Sequence, residues 1–395
     1  MSNLEIDRHP LKSCLVVWHG FQENVAFALL EFMSKRIQHS FFVQHPMIES
    51  DTHHLFGEMP PSGTKLLIKR SERMNNLLFD YARSLFFPFR FPRVDLAVSF
   101  GCQTTVRLLL SRFIQRRRFI IVHWNIDFSP RRFESRITNQ LYNFLDQLAT
   151  KHADLQVDLT DEAQSARLSR YNLKPSSRHI VMPLGVWERD VIPAEILESR
   201  LLNSRNRPIR LVFLGNLSLH QGIIEAVKAV SLVRRHFQEA HLDVVGSGAA
   251  SDEVIELIST LGIQENVTMH GRLSENDFRK LLKQASIGLA PYLDSDASFS
   301  RYADPGKVKE YLAAGLPIIT SSVPPVSKKL VETRSALVCE PSATAIADEI
   351  LGLLNSESLL RDYSVNARKV ALEYTWEKIL ADFMCGLDRL PRIFK

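Results

Sequence analysis

Cysteine is scarce in these 395 residues: Cys14, Cys102, Cys339 and Cys385 lie far apart and share no metal-ligand spacing. That excludes a disulfide framework and a zinc module built on paired cysteines, and leaves small buried thiols of a reducing compartment as the expectation. Long apolar runs are missing too, since no stretch approaches the roughly 18 residues that a membrane-crossing helix needs. Residues 1–10 mix acidic, basic and polar side chains without an apolar segment, so no secretory signal is expected. No nucleic-acid-binding motif can be read. These absences point to a cytoplasmic protein whose contact with a membrane, if any, is peripheral and from the inner face.

What is present is an ordinary globular composition, 45% hydrophobic and 24% charged, with length for about two domains at roughly 150 residues each. The net charge of +5 is unevenly placed. Residues 1–190 carry 25 Lys+Arg against 19 Asp+Glu, and the remainder is slightly acidic. The excess points to an anionic partner for the first half, either a membrane surface or a phosphorylated acceptor. It is too mild to indicate nucleic acid.

Strand, glycine turn and helix alternate along both halves. Residues 14–18 read as a first buried strand, ending in the polar turn Gly20, Phe21, Gln22, Glu23, Asn24 before a helix over 25–37. Residues 41–43, 95–101, 119–122 and 153–158 read as further strands, with helices over 102–113 and 134–151. His123 and Asp127 follow the strand 119–122, at the carboxyl end where open α/β sheets bind ligands. Residues 65–87 show helical spacing (Met74, Leu77, Leu78, Tyr81, Leu85) and run into arginines interleaved with aromatics up to Arg93. That stretch reads either as a dock for an anionic bilayer or as an amphipathic helix facing a core. Residues 186–208 lose the rhythm and read as a linker.

The second half restarts the pattern at strands 211–214, 242–245 and 287–290, with Gly215, Gly246 and Gly248 at strand ends and Ser251 as an expected helix cap. Gly246-Ser247-Gly248 lacks the third glycine of a dinucleotide fingerprint. Asp304-Pro305-Gly306-Lys307 opens a helix that carries Glu310, ends at Gly315 and returns through residues 316–320 into a strand. A helix start with a nearby lysine suits a phosphate, and a carboxylate one turn in suits a ribose diol. Such alternation implies parallel sheets covered by helices.

The ordered set Leu214-Gly215-Asn216 with Gln221-Gly222, Val245 to Gly248, His270-Gly271-Arg272-Leu273, Asp304 to Pro317 and Tyr374-Thr375-Trp376-Glu377 resembles the GT-B-fold retaining glycosyltransferase family 4. The resemblance implies two facing Rossmann-like domains with an interdomain cleft: 1–185 for the acceptor, a linker at 186–208, 209–370 for the nucleotide sugar, and a last helix in 371–395 crossing back. It implies a UDP- or GDP-sugar donor and a glycan, lipid-linked or other hydroxyl acceptor. The implied donor set is Gly215, Asn216, Gln221, Gly246, Arg272, Asp304, Lys307 and Glu310, with His123 facing the transferred sugar. Gly20, Gln22 and Asn24 are candidate acceptor contacts. The sequence departs from the family twice. Tyr302 stands where a second acid is common, and Asn216 and Gln221 replace a basic pair, so Arg272, Arg301 or Lys307 is left to offset the leaving diphosphate. In a retaining reaction the phosphate oxygen itself can take the acceptor proton. Lys307 and backbone N–H groups then carry the catalysis, and Asp127 either orients the acceptor or caps a helix. Asp294-Ser295-Asp296 has the look of a metal motif but no further ligands, so neither metal nor cofactor is expected. A sugar-nucleotide epimerase of the same fold and a degenerate binding partner are the rival readings.

Overall fold

The structure is a computed structural model of the chain; it describes residues 11–19, 23–45, 53–62, 66–73, 93–203, 207–295 and 299–390. It divides into two compact units, Met1–Pro183 with Ile379–Lys395, and Leu184–Lys378.

The first unit is built on one sheet. Its strands are β1 (Ser13–His19), β2 (His39–His45), β3 (His53–Met59), β4 (Leu67–Arg73), β5 (Leu96–Phe100), β6 (Ile120–Trp124), β7 (Leu155–Asp158) and β8 (His179–Val181), in the order β4-β3-β2-β1-β5-β6-β7-β8. β2, β1 and β5–β8 pair in parallel, and the apolar runs of β1, β2, β5 and β6 are buried, as helices on both faces require. β3 and β4 pair antiparallel at one edge. Here the helix read over 65–87 is corrected, because Leu67–Arg73 is a strand held to β3 through its backbone. Leu67 and Ile68 are half exposed, so this edge carries little buried apolar signal. Residues 74–92, which supplied the helical spacing, lie outside the described residues.

The second unit carries β9 (Arg210–Leu214), β10 (His241–Val245), β11 (Val267–Gly271), β12 (Ile287–Ala290), β13 (Ile318–Thr320) and β14 (Ala336–Val338), all parallel, in the order β11-β10-β9-β12-β13-β14. Apolar residues on both faces of this sheet pack under its helices. Within the stretch read as a linker, the described residues 186–203 carry regular elements. They hold a 3-10 turn at Glu188–Asp190 and a helix at Ala194–Leu202, and their backbone bonds into the second unit through Ile192 N–H to Ala313 O at 2.8 Å. Polar, breaker-rich 203–208 masked the helix just before it. Ser251 is a second correction: it is the first helical residue rather than the cap, and its hydroxyl donates back to Gly248 O at 2.7 Å. The last helix, Trp376–Asp388, starts in the second unit and ends in the first, where buried Phe383 packs on Trp124 with ring centroids 5.2 Å apart.

Candidate functional site

In the second unit the strand order reverses at β9, which lies between β10 and β12. Crevices outside the carboxyl ends of such strands bind ligands. β9 ends at Gly215, whose φ of 114° is open to glycine and strained for other residues. Gly246, ending β10, comes so close that a Cβ on it would sit 1.9 Å from Gly215 O. Two glycines thus let two strand ends converge.

Lys307 reaches this point from the helix Gly306–Ala313. A Cβ on Gly215 would lie 3.7 Å from Lys307 Nζ. The ammonium is 4.2 Å from the ring centre of Phe213 and 4.9 Å from that of Tyr292. The Lys307 side chain is only part-buried, yet its Nζ is enclosed and has no hydrogen-bond partner among the described residues. Burial lowers its pKa to about 7. The carrying helix is fixed from below. Tyr311 OH receives Leu214 N–H at 2.9 Å and lies within donating distance of Val212 O and Leu289 O. Gly288 makes room for the Tyr311 ring, which a Cβ would approach at 2.5 Å.

Glu310, one turn further, is part-buried and ion-paired with Arg279, whose guanidinium also holds Asp190 at 3.1 Å. Burial raises the Glu310 carboxyl, and Arg279 opposes that rise. Arg279 escapes sequence reading, because a lone arginine in the polar helix Glu275–Gln284 looks solvated and its partners are distant in sequence. His220 was also missed. It is half-buried, and desolvation and the Lys307 charge both lower its pKa.

Asp304 departs from the expected donor contact. It is buried, bridges to Lys309 Nζ at 2.9 Å, and accepts the Leu184 N–H at 2.6 Å. Both carboxylate oxygens are thus engaged in holding the segment that enters the helix. Asn216 and Arg272 are exposed and Gln221 is partly exposed. His270 Nε2–H donates to Asp243 Oδ1 at 2.7 Å, which makes this landmark a bond between β10 and β11. Asp294 is paired with Arg301 at 2.6 Å. No group of three His, Cys, Asp or Glu able to hold a metal occurs among the described residues.

In the first unit His123 lies on β6 itself, and its ring is fully buried. Thr105 Oγ1 is 2.8 Å from Nδ1 and Asp146 Oδ1 is 3.5 Å from Nε2. Asp146 further accepts from Asn125 at 3.2 Å, Tyr171 at 2.7 Å and Arg167, and Arg167 Nε donates to Asp158 at 2.9 Å. Burial pushes the Asp146 carboxyl up, but Arg167, His123 and Tyr171 outweigh it and hold the pKa well below the ordinary range. The structure thus brings His123 Nδ1 to Thr105 and leaves Nε2, next to Asp146, without a hydrogen-bond partner among the described residues. Asp127 is part exposed, with Arg132 at 3.9 Å; the surrounding protein raises its carboxyl and Arg132 opposes this. It caps no helix, since Ser135 caps Arg136–His152. Gly20 and Gln22 lie outside the described residues, and only the backbone of Asn24 is described, in the helix Glu23–Ser34.

Residues 197–370 match the pattern of the family described as "Glycosyl transferases group 1". Over 312 residues the chain is 22% identical to an alpha-D-kanosaminyltransferase of Streptomyces kanamyceticus, covering 77% of this chain and 73% of that protein. Among solved structures, sucrose-phosphate synthase from Thermosynechococcus elongatus superposes with a TM-score of 0.71 at 15% identity, over 96% of this chain and 99% of that one. Anabaena HepE, solved in complex with UDP, does so with a TM-score of 0.69 at 14% identity, over 96% and 100%. The fold is that of the GT-B glycosyltransferases, two Rossmann-like bodies, and the sequence matches, centred on residues 197–370, are to glycosyltransferases.

Proposed function

We propose that this glycosyltransferase takes a sugar from a nucleotide sugar, UDP-linked in first preference, and passes it with retention to a hydroxyl of a glycan or lipid-linked acceptor in the cytoplasm. The observation that carries the reading is the enclosed ammonium of Lys307, without a hydrogen-bond partner among the described residues, at the strand-order reversal beside Gly215. A buried cation without a counter-ion is costly unless a ligand supplies one. A diphosphate on Gly215 would do so, and HepE, of like fold, is solved with UDP.

As the sugar–phosphate bond breaks, negative charge grows on the leaving diphosphate. Lys307 stabilises it in a site poor in water, where a fixed charge acts strongly and needs no reorganisation. Lys307 thereby replaces the basic pair absent at Asn216 and Gln221, and exposed Arg272 stands by as a further cation. Glu310 receives the ribose diol, with Arg279 opposing the rise that burial imposes on its carboxyl. Gly246 keeps the adjoining strand end open. Asp304 contributes by fixing the helix entry rather than by touching the donor. Asp127 is the candidate to orient the acceptor hydroxyl, and the leaving phosphate oxygen takes the acceptor proton. No metal is assigned a role; transfer that stops in EDTA and returns with Mn²⁺ contradicts this. A donor-binding screen by calorimetry followed by product analysis tests the whole reading. A nucleotide sugar that binds and is converted only with acceptor present supports it, and turnover without acceptor supports an epimerase instead.

A further inference from the structure

Surface helices normally turn their apolar stripe inward. Two helices of the first unit that pack against each other do not. In Arg136–His152 the buried residues are Asp146, Ala149 and Thr150, whereas Ile137, Leu141 and Phe144, at i, i+4 and i+7, are exposed. In Cys102–Ile114 the exposed apolar residues are Leu110, Phe113 and Ile114. Exposure across the six runs from 48% at Leu110 to 82% at Phe113. Charge in the same stretch is one-sided. Residues 96–145 hold eight arginines, no lysine and two carboxylates, Asp127 and Glu134, an excess larger than the +5 of the whole chain. Arg107 is buried and Arg112 is paired with Asp154. Arg116 and Arg118, just after Ile114, and Arg131 and Arg136, just before Ile137, are exposed.

We propose that this helix pair is a docking surface for an anionic bilayer. The apolar side chains enter the boundary between headgroups and acyl chains, and the arginine stems lie along it with their guanidinium groups on lipid phosphates. A second copy fits less well, since it would bring two arginine-rich faces together. The surface is separate from the donor site and from the segment 65–93 singled out by sequence.

Flotation with phosphatidylcholine vesicles, alone or with about one-third phosphatidylglycerol, tests this. Three proteins are compared: the wild type, the triple variant Ile137→Ser, Leu141→Ser, Phe144→Ser, and the triple variant Arg116→Gln, Arg131→Gln, Arg136→Gln. The wild type is expected on the anionic vesicles only, less so with added salt. Each variant should bind at least about tenfold more weakly, with UDP affinity and melting midpoint unchanged. The Arg→Gln set touches only exposed side chains and serves if the serine set fails to fold. The proposal is overturned by absence of the wild type from anionic vesicles at low salt, or by wild-type flotation of the variants. A wild-type dimer that the serine variant dissociates, without vesicle binding, overturns it in favour of self-association.

Discussion

At the scale of single residues the donor-site account rests on Lys307. Burial lowers its pKa to about 7. An anionic donor binds the ammonium form. Below pH 7 that form is already present; above it, a proton must be taken up with the ligand. UDP-glucose affinity measured by calorimetry should be flat below about pH 7 and fall as pH rises beyond it. Lys307→Met should remove that slope and cost about 1.5–3 kcal/mol of binding, the worth of a charged hydrogen bond. A residue of the opposite kind is Arg167, which serves structure. Arg167→Met leaves Asp146 and Asp158 buried without their cation and should destabilise by about 3–5 kcal/mol in denaturant titration. The Asp146 carboxyl is held below its ordinary value, so its stabilising contribution is complete above the ordinary carboxylate range and is lost progressively as pH falls below that range towards the depressed pKa. The variant's deficit should therefore shrink in acid.

At the scale of elements, the strand–glycine–helix rhythm was legible because buried parallel strands are continuous apolar runs and their ends need glycine. The helix of Lys307 and Glu310 was read with its true start and stop, since Pro305, Gly306 and Gly315 are local signals and Gly315 takes φ 62°. The edge strand β4 was not, because antiparallel edge pairing is made by backbone groups that leave no periodic trace. The helix Ala194–Leu202 was hidden by the polar run after it. Lys307 and Glu310 on one helix and Gly215 at a strand end were legible from local signals; the ion pairs of Arg279 and Asp304 were not, as both depend on partners remote in sequence. Gly246→Ala probes the convergence of the two strand ends. With a Cβ at 1.9 Å from Gly215 O and a φ of 131°, it should cost about 1–3 kcal/mol of stability and weaken donor binding, read by thermal melting and calorimetry.

At the scale of the whole molecule the chain is two units with separate cores, joined at Pro183–Leu184 and again within the helix Trp376–Asp388. Such a chain need not unfold in one step. Scanning calorimetry should resolve two transitions. Saturating UDP should raise only the one that belongs to Leu184–Lys378, by about 2.7 kcal/mol at a hundredfold excess over Kd. Equal shifts in both would mean that the nucleotide is held by the first unit as well. The most direct test of the central claim, that the second unit holds a donor diphosphate on Lys307, is titration of UDP-glucose into wild-type and Lys307→Met protein across pH 6 to 9. The account predicts affinity that declines above about pH 7 in the wild type and is weaker and pH-independent in the variant. Equal affinities with the same pH profile would contradict it.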